Sequence, residues 1–325
     1  MTPSSRHSQP LPRGFVPVML TPFLESGEID FPGLSQLTDF YLEAGAAGLF
    51  ANCLSSEMYE LTSGERLAVT RHVVETVAGR VPVVATGTFG GPLEVQADFI
   101  KQIYDTGVQA VIVITSLVVQ PDESDEVFME RMHQLLDLTP GIPLGMYECP
   151  VPYKRLIDSR MLAELLPTGR IVYHKDTSLD DHEVARRLKV GEGYEFGLYD
   201  AYMVNAVSSL KAGAAGLSCI QGNLFPELVV WLCTNYDQPE RAEEVAKVQQ
   251  FFDDCMDLAH TAYPIIAKYT LQKRGLPISL RTRRAVDAFT PTVSAEMDEL
   301  LASADKLMGT LGTTSVLANE QSQIL

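Results

Sequence analysis

Residues 110–115 read Ala110-Val111-Ile112-Val113-Ile114-Thr115, a largely apolar succession with five β-branched residues in a row. A strand exposed on one face would alternate polar and apolar residues. This one does not, so both of its faces must be covered, as in a parallel sheet flanked by helices. Seven further runs have the same character: Phe15–Leu20, Gly48–Cys53, Val81–Thr86, Pro143–Cys149, Ile171–Lys175, Tyr194–Tyr199 and Gly216–Ile220. Between them lie amphipathic stretches at Leu34–Ala44, Pro92–Tyr104, Asp122–Leu138 and Asp180–Leu188. A further one, Leu67–Val77, stands behind the capping box Thr62-Ser63-Gly64-Glu65. Eight strand–helix units over residues 14–224 predict an α/β protein with a (β/α)8 TIM barrel. No GxGxxG follows the first strand, as a dinucleotide-binding open sheet would require.

The segment Ala-Gly-Ala-Ala-Gly-Leu occurs at 44–49 and again at 212–217, each time ahead of a strand. It is either the trace of a repeated unit or a coincidence of Ala/Gly-rich text. After the eighth strand come helical stretches at Pro226–Asn235, Pro239–His260, Tyr263–Arg274 and Ser294–Met308. A barrel needs one outer helix there, so residues 225–312 are expected to add C-terminal helices on or beside it. Residues 1–13 read as a flexible arm and 313–325 as a flexible tail.

The chain has 325 residues, 46% of them hydrophobic, which suits a packed core. Its 25 Lys and Arg against 42 Asp and Glu give a net charge of −17. That charge repels a nucleic-acid backbone and an anionic membrane surface alike, so neither is an expected partner. No apolar run approaches the ~20 residues of a membrane span. The first residues are polar and Pro-rich, without the apolar core of a signal peptide. Five cysteines, in no zinc-ligand spacing, suggest neither a disulfide framework nor a metal. The expectation is a cytoplasmic, catalytic α/β protein.

Barrel active sites sit at the C-terminal ends of the strands. There Lys175 closes an apolar run. It either points inward, where desolvation lowers its pKa and makes it a carbonyl-attacking amine, or escapes to the rim and pairs with Asp176. Tyr147 ends the fifth run, as a proton carrier or as a core tyrosine. Ser55 and Ser56 follow the second, as donors to a carboxylate or as a serine turn. Tyr199 and Asp200 end the seventh and are candidates for substrate hydroxyls, with Asp200 favoured as a helix cap. His174 should face away from Lys175, toward the helices. Cys53, Cys149 and Cys219 lie at strand ends and are read as small packing residues.

In their order these motifs resemble the dihydrodipicolinate synthase/N-acetylneuraminate lyase family of pyruvate-dependent class I aldolases, over about residues 14–310. Thr21-Pro22-Phe23 is similar to that family's TPF, and Cys53-Leu54-Ser55-Ser56-Glu57 to its GTTGE or GSTGE loop. Tyr147-Glu148-Cys149-Pro150 resembles YNVP, Ile171–Asp176 resembles IVGIKE, and Gly216-Leu217-Ser218-Cys219 resembles GVIS. The resemblance implies that Lys175 forms a Schiff base with pyruvate or a related 2-oxo acid and that Tyr147 moves protons. It implies that Leu54, Ser55 and Ser56 hold the carboxylate, that Cys219 lines the substrate site, and that no cofactor is needed. The second substrate would be a polar aldehyde or sugar acid, and the assembly a homodimer or homotetramer.

Departures accompany the match. Leu54 stands where the family has a threonine. Thr115-Ser116-Leu117-Val118-Val119 replaces TPYYN, so the relay tyrosine has no counterpart. Pro152 takes the place of the arginine that grips the second substrate of the synthases. Lys154 and Arg155 follow in the same loop and could grip a distal anion instead, or could simply be a solvated pair. These changes point away from a true dihydrodipicolinate synthase. They also leave open a barrel that binds a 2-oxo acid or sugar acid without turning it over.

Overall fold

The computed structural model describes residues 13–319, with side chains up to residue 317. Its strands are β1 (Gly14–Phe15), β2 (Leu49–Phe50), β3 (Val83–Thr86), β4 (Ala110–Ile114), β5 (Leu144–Tyr147), β6 (Ile171–Asp176), β7 (Gly197–Asp200) and β8 (Gly216–Leu217). All pair in parallel, in the order β1-β8-β7-β6-β5-β4-β3-β2. The ends of this ladder meet just past β1. Val18 bridges Phe50 in parallel, Phe50 N donates to the Pro17 carbonyl at 3.0 Å, and Met19 N donates to that of Phe50 at 3.1 Å. The eight strands fall on the eight apolar runs of the sequence; most are shorter than their runs, while β6 and β7 each end one residue later, at Asp176 and Asp200.

Inside the curled sheet, Ile112, Ile114, Tyr147, Tyr173 and Tyr199 form one apolar cluster, while Val111, Val113 and Met146 join the larger cluster under the helices. That alternation is the strand period of two, with both faces buried. Tyr173 and Tyr199 stack with ring centroids 4.5 Å apart. Gly145 makes room for them, since a Cβ there would lie 2.8 Å from that of Tyr173.

The outer layer holds α1 (Phe31–Glu43), α2 (Ser63–Val77), α3 (Leu93–Tyr104), α4 (Asp125–Leu138), α5 (Ser159–Leu165), α6 (Asp181–Gly191), α7 (Ala206–Ala212) and α8 (Pro226–Asn235). The capping box before α2 forms as read: Glu65 N donates to Thr62 Oγ1 and Thr62 N to the Glu65 carboxylate. Pro92 is the residue before α3 rather than part of its first turn. The two copies of the six-residue segment occupy equivalent places, after α1 and after α7. Gly45 and Gly213 carry the left-handed backbone there (φ 92° and 110°) that turns the chain into β2 and β8.

The C-terminal helices are α9 (Ala242–Asp254), α10 (Met256–His260), α11 (Ile265–Lys273) and α12 (Pro291–Leu311). The expected single stretch 239–260 is thus two helices, because Cys255 leaves helical geometry (φ −91°, ψ 0°). Val248 and Phe252 of α9 and Met297, Ala304 and Met308 of α12 belong to the same apolar cluster as the outer helices. Arg274 fastens this layer to α8, with Glu227 at 2.5 Å and the Leu224 carbonyl at 2.6 Å. It also reaches Ser315, and Val316 N donates to Glu227. The start of the expected tail is therefore held, as is Arg13 of the expected arm, on the carbonyls of Gly213 and Ala214. Residues 1–12 and 320–325 lie outside the described residues. No helix among the described residues is long and apolar enough to cross a membrane.

Candidate active site

Register brings Tyr147 of β5, Lys175 of β6 and Tyr199 of β7 to one level at the C-terminal end of the sheet. Lys175 points inward and is 4% exposed, with Nζ 4.3 Å from the centroid of the Tyr147 ring. Asp176, its neighbour in sequence, faces the helices and pairs with Arg187, which removes the alternative of a Lys175–Asp176 rim pair. No carboxylate among the described residues forms an ion pair with Lys175. Burial pushes its pKa down, opposed by the nearby thiols of Cys53, Cys149 and Cys219. Burial also holds the Tyr147 phenol well above its ordinary value, so it is a neutral proton donor. The Cys219 thiol is pushed up to about 12 by burial and stays protonated at the edge of this site.

The loop after β2 turns tightly at Leu54–Ser56 and leaves through Glu57 in the left-handed region (φ 56°). Ser56 is committed to the backbone: its hydroxyl donates toward the Met19 carbonyl (2.7 Å) and also lies near that of Ala51, and it accepts from Cys53 N. The Ser56 hydroxyl thus does the work of the serine turn. Ser55 is buried and meets the hydroxyl of Tyr263. Leu54 is half-buried against the barrel interior with Tyr59, Phe89 and Leu117. Glu57 anchors the loop from below. It accepts from Lys268 Nζ at 3.1 Å and from the backbone N–H groups of Arg283 (2.7 Å) and Arg284 (2.9 Å). Lys268 is fully buried and donates also to the Arg281 carbonyl.

A second buried network stands behind β5 and β6. Arg187 of α6 is completely buried, with Nη2 2.7 Å from Glu148 and Nη1 in contact with Asp176. Glu148 accepts from Ile157 N and Thr177 N, tying together the loops that follow the two strands. Its burial would raise its carboxyl, but His174 and Arg187 outweigh that and hold it below the usual carboxylate range. His174 faces the helices, 3.5 Å from Glu148 and edge-on to Phe196. Glu148, His174 and Asp176 offer three ligand atoms within 4.8 Å of one another. The guanidinium of Arg187 already supplies the positive charge there.

Arg155 does not reach the mouth of the barrel as a free charge. Its guanidinium pairs with Asp125 at 2.8 Å, donates to the Glu123 carbonyl and sits over Phe128. Lys154 is exposed. Asp200 is buried at the end of β7, accepting from Tyr202 N and Ser209 Oγ, and does not cap α7, whose cap position is Asn205. Burial raises its carboxyl to about 7. Glu57 and Glu148 entered the sequence reading only as members of motifs, without a role, and Arg187, Lys268 and Tyr263 escaped it. Lys268 left one trace, a lysine in the apolar helix text Ile265-Ile266-Ala267.

The parallel eight-stranded α/β fold thus carries a buried lysine and tyrosine side by side at its strand ends. The sequence profile of the dihydrodipicolinate synthetase family matches residues 11–304, and the chain belongs to that family. Among curated relatives, the 4-hydroxy-tetrahydrodipicolinate synthase of Saccharophagus degradans is 28% identical over 271 residues, 81% of this chain and 89% of that protein. That of Ruegeria pomeroyi is 25% identical over 91% of this chain and 99% of its own length. The fold is similar to dihydrodipicolinate synthase from Bacillus anthracis (TM-score 0.81, 21% identity, 90% of this chain and 98% of that one). It is equally similar to YagE, an Escherichia coli K12 prophage protein solved with pyruvate (TM-score 0.81, 21% identity, the same coverage).

Proposed function

We propose that this chain is a class I aldolase or lyase in which Lys175 forms a Schiff base with pyruvate or a related 2-oxo acid. The observation that carries this reading is a buried lysine without a carboxylate partner, its amine against the face of Tyr147. A desolvated amine is a nucleophile near neutral pH. It attacks the C2 carbonyl, the carbinolamine loses water, and the iminium draws electrons from C3. The enamine formed by loss of a C3 proton then adds to an aldehyde, or the reverse sequence cleaves a bond. Tyr147 delivers and removes the protons. Ser55, with the Tyr263 hydroxyl beside it, receives the carboxylate, while Cys219 and Leu54 bound the site. The sink is the iminium itself.

The partner substrate is an aldehyde; Lys154 is the exposed cation of the loop after β5 for a polar or sugar-acid partner carrying a distal anion. Leu117, Val118 and Pro152 lack the groups that dihydrodipicolinate synthesis uses, so the aldehyde is not aspartate semialdehyde. Assembly into a homo-oligomer belongs to the same proposal; a monomeric dihydrodipicolinate synthase variant has a similar fold (TM-score 0.81, 20% identity, 93% of this chain and 99% of that one).

Incubation with pyruvate and borohydride, followed by peptide mass mapping, should place the reduced adduct on Lys175. An adduct on another lysine, or none, overturns the assignment. Pyruvate release from a panel of aldol adducts separates an enzyme from a barrel that only binds. Turnover of aspartate semialdehyde near the ordinary enzyme median of ~10 s⁻¹ would refute the exclusion of that substrate.

A further inference from the structure

Glu57 follows directly on the turn Leu54–Ser56, the turn that the proposed reaction uses for the carboxylate, and its backbone is left-handed (φ 56°). A side chain crowds that conformation, so it persists where the surroundings over-determine it. Here they do so from the far end of the chain. Glu57 is 1% exposed; one carboxylate oxygen accepts from Lys268 Nζ at 3.1 Å, the other from the N–H groups of Arg283 and Arg284 at 2.7 and 2.9 Å. Lys268 Nζ donates also to the Arg281 carbonyl at 2.6 Å, so one ammonium holds both the loop and the stretch 281–284 that grips it. That stretch is itself tied down. The Arg283 guanidinium forks onto Glu65 at 2.9 and 2.6 Å and donates to the carbonyls of Gly27 and Glu60, while Arg284 donates to that of Tyr263. On the opposite side, Thr21 Oγ1 donates to the Ser56 carbonyl at 2.8 Å. The turn is thus pinned by the chain after β1 on one side and by the C-terminal layer on the other. A buried ion pair is often no more stabilising than an apolar pair of the same volume. What it adds here is direction: three donors at fixed points leave the Glu57 carboxylate one place to sit.

We propose that Glu57 and Lys268 are positioning residues for the carboxylate of the 2-oxo acid. The pair fixes the backbone of Leu54–Ser56, and with it Ser55, from the C-terminal helices. The proposal rests on the reading of Lys175 as the Schiff-base lysine and of Ser55 as the carboxylate site. It gives the layer beyond the eighth strand a part in substrate binding, although Lys175, Tyr147 and Ser55 all lie on the barrel. Glu57 and Lys268 touch no substrate and act through the loop.

The test uses the full chain and two small carbonyl compounds: pyruvate, and acetone, which has a methyl group in place of the carboxylate. Borohydride trapping on Lys175 is followed against pyruvate concentration, and for acetone at one fixed concentration. A misplacement of about 1 Å by a change away from the chemistry can cost ~10²-fold. Lys268→Met should raise the half-saturating pyruvate concentration by about tenfold or more. Trapping at saturating pyruvate, and trapping of acetone, should stay within about twofold of wild type. Glu57→Gln keeps an acceptor for the two N–H groups and should give a smaller rise in the same direction. The double variant Glu57→Gln/Lys268→Met strands no buried charge, so it keeps its fold, and it should match Lys268→Met. A general loss of structure would instead lower acetone trapping and saturated trapping as well. Wild-type half-saturation in Lys268→Met or in the double variant overturns the proposal, and so does a fall in acetone trapping that matches the loss with pyruvate. A wild-type chain that traps acetone as readily as pyruvate overturns the carboxylate site at Ser55. Absence of any trapped adduct in the wild-type chain overturns the Schiff-base reading instead.

Discussion

Replacing Arg187 with Met tests whether the charge network behind β5 and β6 holds the site together. The guanidinium lies at 0% exposure between the carboxylates of Glu148 and Asp176, with Glu183 3.3 Å from its Nε. Breaking a buried pair from one side typically costs ~3–5 kcal/mol, because it strands uncompensated charge. Here the stranded carboxylates keep neutral donors: Ile157 N and Thr177 N on Glu148, Ser178 N and Oγ on Asp176. The lower end of the range, about 3 kcal/mol, is therefore expected. For 325 residues the unfolding entropy is about 0.7 kcal/mol per degree, so Tm should fall by about 4–5 °C. Arg187→Lys keeps a charge but loses the fork that serves two carboxylates at once, and should lose about half as much. The pH trend follows from the depressed Glu148 carboxyl. Its stabilisation by Arg187 is present at neutral pH and is lost as pH falls below the unfolded value of ~4.3 and through the folded one, so the Met variant should converge on wild type in acid. Denaturant unfolding at pH 7 and at steps from pH 4 down to pH 2 measures both effects. A loss below about 1 kcal/mol at pH 7, or a Lys variant no better than Met, would refute the reasoning. Because Glu148 and Asp176 directly follow Tyr147 and Lys175 in sequence, imine trapping should also slow in Arg187→Met.

Asp200 gives the opposite pH trend. With its carboxyl at about 7 in the folded chain and ~3.9 unfolded, the wild type loses stability as pH rises through that window and levels off above it. Relative to Asp200→Asn, the loss between pH 5 and pH 8 should be about 3 kcal/mol; parallel stability curves for the two proteins would show that the carboxyl is not held neutral. The two basic residues of the loop after β5 should separate cleanly. Arg155→Ala should lower stability by about 1 kcal/mol through its Asp125 pair, read by denaturant midpoint. Lys154→Ala should leave stability unchanged and raise KM for aldehydes with a distal anion but not for neutral ones, and an unchanged KM for the anionic aldehydes would remove Lys154 from the site.

Strand text such as 110–115 and 144–147 is legible because burial on both faces leaves a nearly continuous apolar run, whatever the chain packs against. The same logic located Lys175 and Tyr147. A lysine and a tyrosine at the ends of apolar runs are out of place by composition, and strand alternation sends Lys175 and His174 to opposite faces. The capping box at Thr62–Glu65 and the paired Gly45 and Gly213 turns were equally local. Partners distant in sequence could not be read this way. Glu57 meets Lys268 across 211 residues. Arg187 looks like any arginine on a polar helix until α6 packs over β5 and β6. Ser55 and Ser56 are the same residue type side by side, yet one turn of backbone gives Ser56 to the Met19 carbonyl and leaves Ser55 facing Tyr263. Arg155 was drawn from the mouth by Asp125, and Tyr59 was brought to the Val151 carbonyl, 92 residues away, by the fold of the loop after β2. Local sequence thus determines which residues form strands and which side each faces. Only tertiary packing decides which buried polar group meets which, since a hydrogen bond depends on positions within a few tenths of an ångström that no single segment specifies.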